Sequence, residues 1–111
     1  MRRVLYGLLV LLGLALPAHA QGVAYIYTPL GYQQITPVPT GTVLTVPFGA
    51  RVAEICVETN TVRYRDDGTA PTATVGMPVA AGVCFQYSGA LAGITFIQVT
   101  SPAVLDISYY R

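Results

Sequence analysis

The run Arg63-Tyr64-Arg65-Asp66-Asp67-Gly68-Thr69 is the densest set of ionisable side chains in the sequence. Two vicinal carboxylates followed by glycine can begin an oxygen-ligand site, because calcium takes several carboxylate and carbonyl oxygens. A calcium loop of the D-x-D-x-D-G kind needs acids at alternate positions, which Asp66 and Asp67 do not supply. The pattern points instead to a turn in which an Asp side chain accepts backbone N–H groups while Arg63 or Arg65 screens the charge. Arg63, Arg65, Asp66, Asp67, Gly68 and Thr69 are therefore read as a structural loop, and no metal or cofactor is assigned.

Other chemistry has little to stand on. Glu54 and Glu58 are four apart, which on a strand puts them on one face about 13 Å from each other. Glycosidase carboxylate pairs work at roughly 5 to 9.5 Å, so two solvated strand positions are the reading. A serine or threonine nucleophile needs a base. The chain has no lysine, its one histidine is His19, and it contains no G-x-S-x-G. Beyond residue 20 four arginines (Arg51, Arg63, Arg65, Arg111) face five acids (Glu54, Glu58, Asp66, Asp67, Asp106). That balance argues against binding nucleic acid through a basic field. The expectation is a protein that is not an enzyme.

Residues 1–20 read as a secretory signal peptide. Arg2 and Arg3 make a positive start, Val4 to Leu16 is apolar apart from Tyr6 and two glycines, and Ala18-His19-Ala20 has the small-x-small pattern of a cleavage site. The apolar run of about 13 residues is short of the roughly 20 that cross a bilayer as a helix. A membrane anchor and a twin-arginine export signal are the other readings of this segment. Cleavage leaves residues 21–111 as one domain, periplasmic or secreted, with no membrane attachment. Cys56 and Cys84 are the only cysteines, and an even count in a short exported chain suits a disulfide. Closing that loop of about 28 residues is worth roughly 3.5 kcal/mol in the chain-entropy model. Two separate thiols, or a redox pair, are the alternatives.

The elements that must carry these residues are strands. Val23 to Thr28, Gln33 to Thr36, Thr42 to Val46, Val52 to Glu58, Thr61 to Arg65, Val83 to Tyr87, Ile94 to Thr100 and Val104 to Tyr110 are rich in Val, Ile, Thr, Tyr and Phe. Turn signals separate them, and nothing after residue 20 keeps a helical period for three turns. The predicted fold is all-β, an antiparallel β-sandwich or jelly-roll-like barrel of about eight strands. Alternation places Ala53, Ile55 and Val57 on one face and Val52, Glu54, Cys56 and Glu58 on the other; Val83, Phe85 and Tyr87 oppose Cys84 and Gln86. A Cys56–Cys84 bond would then clip two strands on the outside of a sheet, or join a strand to a covering loop. The expected core is Ile55, Val57, Val62, Tyr64, Val83, Phe85, Ile94, Phe96, Leu105 and Ile107. Glu58-Thr59-Asn60 reads as a short hairpin connection, Pro29 to Gly41 as extended or edge-like, and Asp66 to Pro78 as a long loop.

Seven tyrosines lie beyond residue 20, and tyrosine offers rigid contact area with a polar tip. Tyr25, Tyr27 and Tyr110 are the candidate interaction surface; ordinary strand propensity is the plainer account. Few charges guard the edges of so many strands, and pairing with other copies would cover them.

The stretch Val62 to Pro78, followed by Ala81-Gly82, Phe85 to Gly89, Ile94 to Ile97 and Leu105 to Tyr110, resembles a V-R-[WY]-R-D-D-G-T-x-P-T pattern of small virion-associated proteins of tailed bacteriophages and prophages. The resemblance covers roughly residues 42 to 110. It implies a compact β-sandwich that packs into a particle as a head decoration or tail accessory part, without catalysis. The expected function is thus an exported structural or interaction domain that self-associates, or a virion part. A periplasmic or surface module binding carbohydrate, or adhering through calcium, is the alternative.

Overall fold

The computed structural model describes residues 26–111. The expected signal peptide, Tyr25 and the first half of the expected strand Val23 to Thr28 lie outside the described residues. Eight strands follow in chain order: β1 (Pro29–Ile35), β2 (Thr42–Val43), β3 (Val52–Thr59), β4 (Val62–Arg65), β5 (Met77–Val79), β6 (Cys84–Tyr87), β7 (Thr95–Gln98) and β8 (Val104–Tyr110). They form two four-stranded sheets, ordered β1-β8-β3-β6 and β2-β7-β4-β5, with every pairing antiparallel. The fold is all-β, and this strand order is that of a double-sheet jelly roll.

Alternation along the strands builds the core. In β8, Leu105, Ile107 and Tyr109 are buried while Val104, Asp106, Ser108 and Tyr110 are half-buried. In β3, Ala53, Ile55 and Val57 turn inward from the same sheet. Val62 of β4 and Phe96 of β7 meet them from the second sheet, and Ile94 just before β7 joins the cluster. Burying each such Ile, Leu, Val or Phe side chain stabilises the fold by about 1.5–3 kcal/mol before the entropy of ordering it is subtracted.

Several expectations are corrected by the connections between sheets. Ile26 to Thr28 are not in a strand; the first strand starts at Pro29 and runs along a sheet edge, where proline's missing N–H is tolerated. Glu58 to Asn60 does not close a hairpin, because β3 and β4 belong to different sheets. The chain turns that corner through Asn60 at φ 60°, whose side-chain amide donates to the Pro102 carbonyl at 2.7 Å. Val83, expected in the core, is 45% exposed. It sits in the turn Ala80 to Val83, where its N–H bonds to the Ala80 carbonyl. The stretch expected as one loop from Asp66 to Pro78 ends in strand β5, which pairs with Val62–Tyr64 of β4. Val38, Leu44, Ala53, Val79, Leu91, Ala103 and Tyr109 complete the core beyond the residues expected there.

Candidate functional site

β4 is the hinge of the site because its alternate residues face opposite ways. Val62 and Tyr64 turn to the core, and Arg63 and Arg65 turn to the long loop. Arg63 donates from Nε to the Ala73 carbonyl at 3.1 Å and from NH1 to the Gly76 carbonyl at 2.8 Å. The loop closes on itself through paired Thr72 and Val75 backbone bonds. At its end Gly76 has φ +139°, and a Cβ there would come within 3.0 Å of Pro71 and 3.1 Å of the Tyr64 carbonyl. A side chain at that position does not fit without movement.

Arg65 forms a two-armed ion pair with Asp67, Nε to Oδ1 and NH2 to Oδ2. Asp67 Oδ1 also accepts the Thr69 N–H at 3.3 Å, which is a local Asp turn. The Arg65 hydrogen bond holds the Asp67 carboxyl below its usual range and pushes the Arg65 guanidinium up. Gly68, between Asp67 and Thr69, has φ +88°. Asp66 turns the other way and accepts the Tyr87 hydroxyl at 2.8 Å, bridging from β4 to β6 of the opposite sheet. Burial, then the Asp66 carboxylate, raises the Tyr87 hydroxyl. The six residues of the Arg63 to Thr69 set are thus gathered in one corner, tying loop to strand and sheet to sheet.

This corner opens into two adjoining hollows. One, of about 440 Å³, is lined by Arg65, Asp66, Asp67, Val75, Gly76 and Met77. The other, of about 310 Å³, is apolar: Tyr64, Met77, Pro78, Val79, Val83 and Phe85 line it. It runs between β5 and β6, each the last strand of its sheet on this side. Tyr64 and Phe85 stack across the sheets there, ring centroids 5.3 Å apart and planes 14° off parallel. Met77 is 58% exposed and borders both hollows. Alternation places Val83 and Phe85 in the core, and Met77 falls in the expected loop Asp66 to Pro78; only the position of β6 at a sheet edge opens this surface.

The outer face of the first sheet is a separate region. Cys56 and Cys84 face each other across β3 and β6 and are disulfide-bonded, with Cα atoms 3.9 Å apart. The bond clips the two strands on the outside of the sheet. A Glu54 carboxylate oxygen and the two sulfurs lie within 4.8 Å of one another, and the sulfurs are spent on their own bond. Along the same face Asp106 Oδ1 accepts the Tyr32 hydroxyl at 2.7 Å and the Gln34 amide at 2.8 Å. The same amide reaches Glu58 Oε2 at 3.5 Å. Hydrogen bonding with Asp106 raises the Glu58 carboxyl, while Tyr32 as the main donor lowers that of Asp106. Tyr27 and Tyr110, two of the three tyrosines read as an interaction surface, lie with ring centroids 6.1 Å apart at 57°. Tyr32 and Asp106 join this region by the register Tyr32↔Ser108 and Gln34↔Asp106, which strand alternation alone does not reveal.

Comparison of the chain with models of protein families, with curated proteins and with solved structures finds no match.

Proposed function

We propose that this chain is exported, processed behind Ala20, and works without catalysis as a structural or interaction domain that associates with further copies of itself. The observation that carries the reading is the apolar opening between β5 and β6. Two sheet edges and a stacked aromatic pair lie beside Met77 and Val83, both substantially exposed. Unpaired edges beside apolar surface favour association. The disulfide is compatible with an oxidising compartment. The resemblance to virion accessory proteins supports the same kind of role, packing into a particle; jelly rolls also serve as sugar-binding domains, so the fold does not choose between them.

The test is intact and native mass of the protein recovered from periplasmic and cytoplasmic fractions of the expressing cell. The expected result is a chain beginning at Gln21, two hydrogen atoms lighter than its reduced form, outside the cytoplasm and, in native mass, heavier than one copy. A full-length reduced chain in the cytoplasm overturns export, and a single copy overturns association. One observation favours a second reading, a ligand-binding module: the hollow of about 440 Å³ brings Asp66 and Asp67 to its wall. A rise in melting temperature with calcium or with an oligosaccharide would support that reading.

A further inference from the structure

The opening between β5 and β6 has a shape that one segment of this chain suits. β5 offers a poor edge, because Pro78 at its centre has no N–H to donate. β6 offers a good one. Among the described residues it is bonded only to β3, and the Val57 N–H to Val83 carbonyl bond fixes which of its residues face that partner. By antiparallel alternation Cys84 and Gln86 direct their backbone groups away from β3, toward the open edge. A strand laid there would place alternate side chains against Phe85, Val83 and Met77.

The segment Gly22-Val23-Ala24-Tyr25-Ile26 has the character of such a strand. It carries no charge and no proline, and it alternates Val23 and Tyr25 with Ala24 and Ile26. Ile26 is 87% exposed where the described chain begins. Thr28 is pinned to Arg111 by two backbone bonds of 2.9 Å, so the described chain begins beside β1 and the end of β8. In the sheet order β1-β8-β3-β6 the edge of β6 is three strand spacings away, about 14 Å. At about 3.4 Å per residue, that crossing consumes residues 24–27 and leaves only 21–23 to pair. Within one molecule Tyr25 therefore cannot lie along β6. A neighbouring molecule meets no such limit.

We propose that Gly22 to Ile26 of one copy adds as a strand to the β6 edge of a second copy and fills the apolar opening between its β5 and β6. This rests on the self-association proposed above and names its surface. The contact is heterologous, segment of one copy into opening of the next, so it grows chains or rings head to tail.

Variants of the processed chain separate the possibilities. Tyr25→Asp removes the donor and leaves the opening intact; Val83→Asp blocks the opening and leaves the donor intact. Native mass should show the unaltered chain in multiples and each variant as a single copy that still unfolds cooperatively, its melting temperature matching that of the unaltered chain diluted until its copies separate. An equimolar mixture should then give a dimer of one chain of each kind and nothing larger, because only one productive contact is left. If Val83→Asp fails to fold, Met77→Asp serves in its place. Assembly that survives both variants, or a mixture that stays monomeric, overturns this contact while self-association stands. An unaltered chain that is monomeric overturns both.

Discussion

The two long sides of the sandwich are built from the same parts and finished differently. On each side the chain crosses from the edge strand of one sheet to the edge strand of the other, from β1 to β2 on one side and from β5 to β6 on the other. The β1–β2 crossing buries Val38 completely, and Leu44, just after β2, is buried nearly as well. Gln98 locks it: its backbone N–H donates to the Val38 carbonyl at 2.7 Å, and its side-chain oxygen accepts the N–H groups of Val38 and Ala103. Gln33 adds a second latch, accepting the Tyr109 hydroxyl and the Thr45 N–H on one oxygen. The β5–β6 crossing is only four residues, Ala80 to Val83, and leaves the gap open, with Val83 on its wall and 45% exposed. What holds that side is covalent and peripheral, the Cys56–Cys84 bond outside and the Tyr87–Asp66 bond at the corner. A sealed side needs long cover with its polar groups paired, and the short crossing leaves apolar surface for another chain to cover.

The largest effect expected from this contrast is loss of the disulfide. Replacing Cys56 and Cys84 together by alanine frees the open side's edge strand. It should cost about 3.5 kcal/mol by the chain-entropy model, read as a fall in the denaturation midpoint together with a steeper slope, because the unfolded chain is no longer held compact by the cross-link. On the sealed side the corresponding change is Gln98→Ala. It leaves the part-buried N–H groups of Val38 and Ala103 without their acceptor, at about 1–3 kcal/mol each where no water replaces it. A total below about 0.5 kcal/mol would mean that this latch does not seal the side. Gly76→Ala comes next, at about 1–3 kcal/mol, because it puts a Cβ where φ is positive and Pro71 and the Tyr64 carbonyl are already close. Hydrogen exchange should show the loss concentrated in residues 72–79.

How far these two sides were legible in the sequence follows from the same contrast. The faces of β3, β6 and β8 could be read from alternation, and so could the placement of both cysteines outside the core, because a strand's period of two is local. Val38 lies in the stretch Pro29 to Gly41, rich in proline and glycine, that reads as an edge, and Leu44 lies in the expected strand Thr42 to Val46 without being expected in the core. Their burial is decided by where the chain crosses between sheets, which no local period encodes. β5 was hidden for a similar reason: Gly76 and Pro78 signal a loop, and the strand exists only because β4 offers it a partner. The Arg63 to Thr69 cluster was legible as a group, since the arginines alternate on one face and Asp67 caps its own turn. The Asp66 link to Tyr87 joins residues 21 apart on different sheets and needed the fold.

The pH dependence tells the sides apart as well. Burial pushes the Tyr109 hydroxyl up to about 12, above the ordinary tyrosine value of about 10. The folded chain therefore keeps this proton where the unfolded chain gives it up. Its contribution is complete below about pH 10 and is lost as pH rises from there through about 12. Because Tyr109 donates to Gln33, alkali should loosen the sealed side, and Tyr109→Phe should flatten that part of the stability profile. Asp67 acts in the opposite range. Its carboxyl is lowered by Arg65, so its contribution is present above the ordinary aspartate value and is lost as pH falls through its own depressed one. As this pair is exposed, Asp67→Asn should remove only a small acid-side slope.

The smallest expected effect is the most discriminating. Met77→Ser and Val83→Ser remove apolar groups that a single copy already leaves largely in water, so each should change that copy's stability by no more than about 0.5 kcal/mol. Val38→Ser removes a group of the same size as Val83 from the sealed side. It should cost several times as much, because a buried methyl pair is lost and a hydroxyl is left in an apolar site. The ratio of the two valine substitutions, measured at a concentration low enough to keep copies apart, reports directly how open the β5–β6 side is. Equal losses would mean that this side closes in solution over Val83, and the proposed docking surface would then be absent from the single copy.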